Sequence, residues 1–202
     1  MPAGQRGHCR IVNCGVFAPM SHRRERTIIL AALFTALGVA LGFLLAGIPN
    51  VELMTLTAFM AGYFCGARLG GACGALSIML FSLLNPLGPA PPPLLAAQVA
   101  GFTMIGIAGA LAKPWIARPG AQGVAASAVA GFLVTLAYDV LTTLASAFVV
   151  LGAAGFAGGF GGFALAGALF VAWHVAINTA VFALAVVPLM RGVSAWQGGE
   201  TS

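Results

Sequence analysis

The residues best able to do chemistry in this sequence are a few polar side chains set within long apolar stretches. In a helix with 100° per residue, four polar side chains would share one stripe: Thr135, Asp139, Thr142 and Ser146. Tyr138 would lie beside this stripe. An ionisable group such as Asp139 costs about 2.5–3.5 kcal/mol at membrane depth, so a partner or a water-filled cavity must offset it. The stripe therefore predicts a polar wall inside an apolar protein.

A second polar pair, His174 and Asn178, lies one helical turn apart in the next apolar stretch. Counted from the ends predicted to be external, Asp139 is twelve residues from Leu151 and His174 is eleven from Phe163. At 1.5 Å per residue both lie roughly 16–18 Å deep. Equal depth makes contact between Asp139 and His174 possible.

These residues predict a cavity open to the outside, with Asp139, His174 and Asn178 at its floor. The candidate substrate-binding residues are Asp139, His174, Asn178, Thr142, Tyr138, Gln98, Asn85 and Glu52, the last three nearer the mouth. One alternative is that Asp139 and His174 only pair to hold two helices together, and that the mouth residues are ordinary loop and interface polarity. Two proton-carrying groups also permit a proton relay.

Motifs for enzymatic chemistry are absent from the sequence. It has no GxxxxGK[ST] phosphate loop and only one lysine, Lys113, so the chain cannot hydrolyse nucleotides by itself. It also lacks HExxH, GxSxG, a paired-carboxylate motif and CxxC pairs. His8, Cys9 and Cys14 could bind a metal only weakly. We predict no enzyme, no metal and no cofactor in this chain, with energy supplied by a partner or a gradient.

The composition indicates a membrane protein with a single domain. The chain of 202 residues is 60% hydrophobic and 6% charged, against the charged share of about 25% in soluble domains. Its net charge of +5 comes from basic residues at the ends of apolar runs, a pattern of membrane orientation and not of nucleic-acid binding. The bilayer must therefore be its solvent.

The apolar runs predict an all-α fold of about six transmembrane helices, since about 20 residues cross a ~30 Å hydrocarbon core. The predicted spans are 27–47, two short spans within 53–84 broken near Arg68, then 94–112, 124–151 and 163–190. Segment 85–93 is predicted as a loop because of its prolines, and the Gly-rich segment 152–162 as another loop.

Six spans place all basic residues of the spans and loops on one side: Arg23, Arg24, Arg26, Arg68, Lys113, Arg118 and Arg191. By the positive-inside rule both termini are then cytoplasmic. The predicted divisions are a disordered tail over 1–22, a membrane domain over 23–191 and a cytoplasmic C-terminal tail over 192–202. Met20 is a candidate translation start, because a basic flank and an apolar run follow it.

A small-residue stripe marks the first predicted span. Ala32, Ala36 and Ala40 form AxxxAxxxA, which lets another helix approach closely, either within the fold or from a partner. Gly62, Gly66, Gly70 and Gly74 have the same spacing, but the break near Arg68 means that they cannot all lie on one helix.

The pattern resembles the substrate-binding (S) components of energy-coupling factor (ECF) vitamin transporters. The resemblance covers nearly all of 23–191: its size, six spans, cytoplasmic termini, the alanine stripe, and the block IPNVELMTLTAFMAGYFCGARLGGACGALSIMLFSLLNP. That block looks like the corresponding region of several vitamin-specific members, including the biotin type.

The resemblance implies a receptor for a vitamin or related micronutrient in the plasma membrane of a prokaryote. It implies as partners a transmembrane coupling protein, contacted by Ala32, Ala36 and Ala40, and two cytoplasmic ATPases. It also implies a ligand site toward the outer face and release by toppling of the subunit within the bilayer. The main alternative is an autonomous proton-coupled secondary transporter, and a further one is an intramembrane enzyme.

Overall fold

The computed structural model describes residues 22–47, 53–85 and 88–198, and these contain helices and no strand. The five helices are α1 (His22–Leu45), α2 (Met54–Cys65), α3 (Ala67–Leu83), α4 (Pro92–Ile116) and α5 (Ala121–Gly198). The predicted all-α class is confirmed. Most of the predicted N-terminal tail lies outside the described residues, whereas the predicted C-terminal tail is helical as far as Gly198.

Three of the described helices, α1, α4 and α5, are long and apolar enough to cross a membrane. The α2 and α3 helices are apolar but shorter, with 12 and 17 residues. At 1.5 Å per residue they are about 18 and 26 Å long, less than the ~30 Å core, as expected of the two short predicted spans. Large hydrophobic side chains such as Leu44, Leu165 and Leu169 are exposed, which suits a lipid environment.

The chain breaks between α2 and α3 at Gly66, the first residue of the segment GARLGG (residues 66–71) in which the break was predicted. Gly66 has φ 87° and ψ 168°, a conformation that is essentially restricted to glycine. Its amide donates to the carbonyl of Gly62 and closes α2. Arg68 therefore lies in the first turn of α3 and not at the break itself.

Glycines bring the backbones of α2, α3 and α4 into direct contact. A Cβ atom on Gly62 would overlap the carbonyl group of Gly106, and one on Gly70 would overlap the backbone of Gly62. In the same way Gly74 packs on the carbonyl of Phe102. Three glycines of the four-residue pattern thus pack these helices together, although, as predicted, they do not share one helix.

The proline-rich segment 85–93 is shorter as a loop than predicted. Pro92 and Pro93 form the first turn of α4, where proline is tolerated because the first amides have no partner within the helix. At its other end α4 continues past the predicted end of the span and includes Lys113 and Pro114.

The prediction of a loop over residues 152–162 is wrong, because these residues are helical except for Gly152. Gly152 has φ 66° and ψ 170°. Without water, the backbone groups of an apolar segment must be satisfied internally, which favours a helix even where glycines are frequent. Only the one glycine that takes a non-helical conformation interrupts α5.

The α5 helix folds back on itself at Gly152 into a first arm (residues 121–151) and a second arm (residues 153–198). Asp139 and His174 are 35 positions apart yet in contact, whereas a straight helix would separate them by about 52 Å. Gly131 also packs on Phe182. Gly131 lies eight residues before Asp139, and Phe182 lies eight residues after His174. The two arms are therefore antiparallel.

The two arms have unequal lengths between the Asp139–His174 contact and Gly152. Asp139 lies 13 residues before Gly152, and His174 lies 22 residues after it. Between this contact and Gly152 the second arm therefore has about nine more residues, or about 13 Å more helix, than the first arm.

Aromatic contacts fix the arms to the rest of the bundle. The ring of Phe182 in the second arm packs edge-on against Phe59 of α2, at 5.0 Å between centroids. The ring of Tyr138 in the first arm packs against Phe102 of α4, at 5.3 Å. Phe59, Phe102 and Phe182 are fully buried, so the core lies where α2, α4 and the arms meet.

Candidate functional site

The two ionisable residues predicted at equal depth form a buried pair between the arms. Nδ1 of His174 lies 2.8 Å from Oδ1 of Asp139, and the two residues are 5% and 6% exposed. The structure thus brings together the pair whose contact the sequence made possible. The premise for their depth was wrong, however, because the helix of the second arm begins directly after Gly152 and not at Phe163.

The second oxygen of Asp139, Oδ2, is buried and has no hydrogen-bond partner among the described residues. If the proton shared with His174 rests on Nδ1, the carboxylate leaves Oδ2 as an acceptor. If the proton rests on Oδ1, Oδ2 is the carbonyl oxygen of the acid and is still an acceptor. A buried acceptor without a donor costs about 1–3 kcal/mol.

Asn178 lies one helical turn after His174 in the second arm. Its Nδ2 donates to the carbonyl of His174 at 3.2 Å, so the amide presents Oδ1 to the interior as an acceptor. Asn178 is completely buried, and its Oδ1 has no partner in the described part of the chain. From the register of the arms Thr135 lies opposite Asn178, and its buried Oγ1 also has no partner there.

Two other residues of the predicted polar wall, Thr142 and Tyr138, make contacts within their own helix or with α4. The hydroxyl of Thr142 donates to the carbonyl of Tyr138 at 2.9 Å, one turn back in the same helix. The ring of Tyr138 is buried against Phe102 and Gly101 of α4. Tyr138, adjacent to Asp139 in sequence, therefore packs against α4, and Thr142, three residues after Asp139, bonds to its own helix.

Two of the three residues predicted at a cavity mouth, Gln98 and Asn85, lie among the described residues. Gln98 of α4 is half-buried, with an Oε1 atom that has no partner among the described residues. Asn85 is half-buried just beyond the end of α3. Glu52 lies outside the described residues, as do His8, Cys9 and Cys14 of the weak metal candidate.

A groove of about 730 Å³ is lined by residues of both arms of α5. The first arm contributes Phe132, Leu136, Asp139, Val140 and Thr143 to its lining. His174 and Asn178 do not line it, which corrects the predicted floor: in the second arm they lie about 100° away from the lining face that includes Val175 and Thr179. The groove is thus mainly apolar, with one carboxyl group.

The lining of the second arm carries a signal that the sequence interpretation missed. Ala164, Ala168, Ala172 and Ala176 line the groove at a spacing of four residues. This stripe is one alanine longer than the stripe of the first predicted span and was detectable by the same criterion. Small side chains keep the second arm flat and leave space against the first arm.

The alanine stripe of α1 faces away from the bundle. Ala32, Ala36 and Ala40 are exposed, whereas the opposite face of α1 packs on α2 and α3. There the thiol of Cys73 donates to the carbonyl of Ala31, and the hydroxyl of Ser77 donates to the carbonyl of Thr35, both at 3.4 Å. The stripe is therefore not used for packing among the residues that the structure describes.

Comparison of the chain with known protein families, with curated proteins and with solved structures gives no match. The residues of the site and their geometry are thus the basis on which a function can be proposed.

Proposed function

We propose that this chain is the substrate-binding membrane subunit of an ECF-type ABC transporter that imports a vitamin or a related micronutrient. The observation that carries the proposal is the carboxyl group of Asp139, held by His174 at the middle of two apolar helices with one oxygen atom unpaired beside a groove. A volume of about 730 Å³ is within the range of small-molecule sites, about 300–1,000 Å³.

The proposed topology has six crossings and both termini in the cytoplasm of a prokaryotic cell. Tyr63, near the end of α2, contacts Lys113 by a cation–π interaction at 5.2 Å and Met190 by a hydrogen bond to sulfur at 2.6 Å. These contacts support a common end of the bundle for Lys113 and Arg191, the residue after Met190. The break at Gly66 adds Arg68 to that end, in agreement with the positive-inside rule.

The exposed stripe of Ala32, Ala36 and Ala40 is the proposed contact with a transmembrane coupling protein. Helices pack closely in lipid where small residues allow backbones to approach, and this stripe has no partner helix within the described chain. Two cytoplasmic ATPases would supply the energy, because the chain itself has no phosphate-binding loop.

The proposal is tested by purification of the tagged chain from its native membranes. A substrate-binding subunit should copurify with a coupling protein and ATPases and should retain a small molecule that native mass spectrometry detects. Purification of the chain alone, without a ligand and without these subunits, would refute the assignment.

An autonomous proton-coupled transporter is the second candidate, favoured by the Asp139–His174 pair, which shares a proton at membrane depth. The two candidates differ in one measurement. The purified chain in vesicles, with a pH gradient and without ATPases, should accumulate solute only if it is the secondary transporter.

A further inference from the structure

We propose that a monovalent cation of the size of Na⁺ binds inside the bundle, between the two arms of α5, with the carboxylate of Asp139 as its charged ligand. The site lies on the interior side of Asp139, where buried polar groups face one another, and not in the groove. The inference goes beyond the proposed function, because it does not depend on the solute that the chain carries.

The buried atoms without hydrogen-bond partners in the described part of the chain are all side-chain oxygens. One belongs to a carboxyl group, two to amides and two to hydroxyls: Oδ2 of Asp139, Oε1 of Gln98, Oδ1 of Asn178, Oγ1 of Thr55 and Oγ1 of Thr135. Carboxylates, amide oxygens and hydroxyls are the ligands that hard cations prefer. The chain thus buries a set of oxygens and no unpartnered nitrogen among its described residues.

The antiparallel register of the arms places three of these oxygens together. Thr135 lies opposite Asn178, and Asp139 follows Thr135 by one turn on the same face of the first arm. The amide group of Asn178 is turned back along its helix to the carbonyl of His174, the residue that contacts Asp139. Oδ1 of Asn178 is therefore held between the level of Thr135 and the level of Asp139.

The α2 helix brings a fourth oxygen to the same level. Phe59 of α2 packs against Phe182 of the second arm, and the two helices run in the same direction, as a second contact nearer their ends shows. Thr55 precedes Phe59 by one turn, and Asn178 precedes Phe182 by one turn. The buried hydroxyl of Thr55 therefore lies on the side of α2 that faces Asn178.

The α4 helix contributes the fifth oxygen. Gln98 precedes Phe102 by one turn, and the ring of Phe102 packs against Tyr138, the neighbour of Asp139 in sequence. Gln98 and Phe102 share the face of α4 that packs on the first arm. Its side chain thus starts within about one turn of the level of Asp139, and its Oε1 atom is buried.

The spacing of these groups fits a cation better than direct hydrogen bonds. The five oxygens make no hydrogen bonds with one another, although Thr135 and Asn178 lie opposite each other. Ca²⁺, which has nearly the radius of Na⁺, lies about 2.3–2.6 Å from its oxygen ligands, so ligands on opposite sides of such an ion are about 5 Å apart. Facing oxygens that are too far apart to bond directly are therefore expected around a cation.

A water molecule is a poorer partner for these oxygens. They are fully buried, so no water-sized space adjoins them, and a hydrogen-bonded water would lie about 2.7–2.8 Å away, farther than a cation of this size. Water also brings no charge to balance a carboxylate in an apolar interior, where buried charges are paired or bind metals.

The charge of the site favours a monovalent ion. A neutral His174 that donates from Nδ1 leaves one negative charge on Asp139. Lys113 of α4 lies eleven residues beyond Phe102, about 17 Å along the helix, so it is too far away to balance this charge. One Na⁺ would balance it, whereas a divalent ion would leave an excess positive charge in the core.

The experiment measures thermal unfolding of the full chain in lipid nanodiscs at constant ionic strength. Na⁺ is replaced stepwise by K⁺, by Ca²⁺ or by choline, a cation too large for the site. The unfolding midpoint should rise by about 3–6 °C for each tenfold increase in Na⁺ above its dissociation constant, less with K⁺ or Ca²⁺, and not with choline. Equilibrium dialysis with radioactive Na⁺ should show one ion per chain.

Two variants locate the ion. Asp139→Asn removes the charge and Thr135→Val removes one ligand oxygen, so each should weaken Na⁺ binding at least tenfold. In sodium-free buffer Thr135→Val should be as stable as the original chain, because the lost hydroxyl has no partner among the described residues. Thr103→Val is the matched control and should keep the Na⁺ response, since the hydroxyl of Thr103 already donates to the carbonyl of Val99 at 2.7 Å.

Three outcomes would overturn the inference. One is the same unfolding midpoint in Na⁺ and in choline. Another is a Na⁺ response that both Asp139→Asn and Thr135→Val retain, because the ion would then bind elsewhere. The last is stabilisation by K⁺ or by Ca²⁺ that equals or exceeds stabilisation by Na⁺, which would contradict the size or the charge of the site.

Discussion

Nδ1 of His174 lies 2.8 Å from Oδ1 of Asp139, across a chain reversal that separates the two residues by 35 positions. This contact joins the two arms of α5 at the depth where the groove reaches a carboxyl group. His174 itself does not line the groove, so any effect on a ligand must act through the orientation of Asp139. The pair can be tested both for its contribution to binding and for its contribution to stability.

The first prediction concerns His174 as a positioning residue. His174→Ala removes the hydrogen bond that fixes the Asp139 carboxyl group, and we expect ligand affinity to fall about tenfold, as for loss of one hydrogen bond to a charged group. His174→Asn should restore most of the affinity, because its Nδ2 can donate from a position near that of Nδ1. Equal affinity for both variants, measured by titration in nanodiscs, would contradict the positioning role.

The second prediction separates binding from stability. Replacing both members of the pair, as Asp139→Leu with His174→Phe, removes the buried charge and its partner together. Apolar replacement of a buried ion pair is often neutral or stabilising, so the thermal unfolding midpoint in detergent should not fall. Ligand binding should be lost. If the double variant has a lower unfolding midpoint but still binds ligand, the pair serves only to hold the arms together.

The fold class and the identity of the buried pair could be predicted from the sequence. Apolar length and the cost of an isolated charge in lipid are local properties, so the helices and the importance of Asp139 can be predicted directly. The Gly-rich segment 152–162 was misjudged because loop propensity was applied to residues that lack water. Within this segment only Gly152 takes a conformation that requires glycine.

The groove could not be predicted from the polar residues alone. It is lined by both arms of α5, and their register follows from the single break at Gly152 and from the contact of Gly131 with Phe182. Local sequence gives no account of that register. The predicted floor included His174 because of its depth and Asn178 because it shares a helix face with His174, but the face that lines the groove is adjacent to theirs.

The third prediction concerns the glycine contacts of α2 and α4. Gly62→Ala places a Cβ atom against the carbonyl of Gly106, where the neighbour is backbone and cannot rotate away. We expect a loss of about 1–3 kcal/mol or more in the free energy of unfolding, as in other overpacked cores. Gly167→Ala is the matched control, since its Cβ atom would meet no atom within 4 Å. Equal unfolding midpoints for the two variants would refute the close packing.

The fourth prediction tests the reversal within α5. At Gly152, with φ 66° and ψ 170°, any side chain is strained, so Gly152→Ala should cost about 1–3 kcal/mol. Gly152→Asn should be no more stable than Gly152→Ala. Asparagine tolerates the left-handed helical region, near ψ of about 47°, but not a ψ of 170° at positive φ. Gly158→Ala, in the same arm and with no atom near its Cβ, should be tolerated. Thermal unfolding of the variants in detergent checks this order.

The fifth prediction concerns the outward stripe of α1. Ala36→Trp adds a large side chain to an exposed small-residue position, so it should prevent assembly with a coupling protein and leave ligand binding by the solitary chain unchanged. Leu37→Trp is the control, because Leu37 is also exposed but lies about 100° around the helix from Ala36. Copurification from native membranes measures assembly. If Ala36→Trp assembles as well as Leu37→Trp does, the stripe faces lipid, and the partner must bind another surface of the bundle.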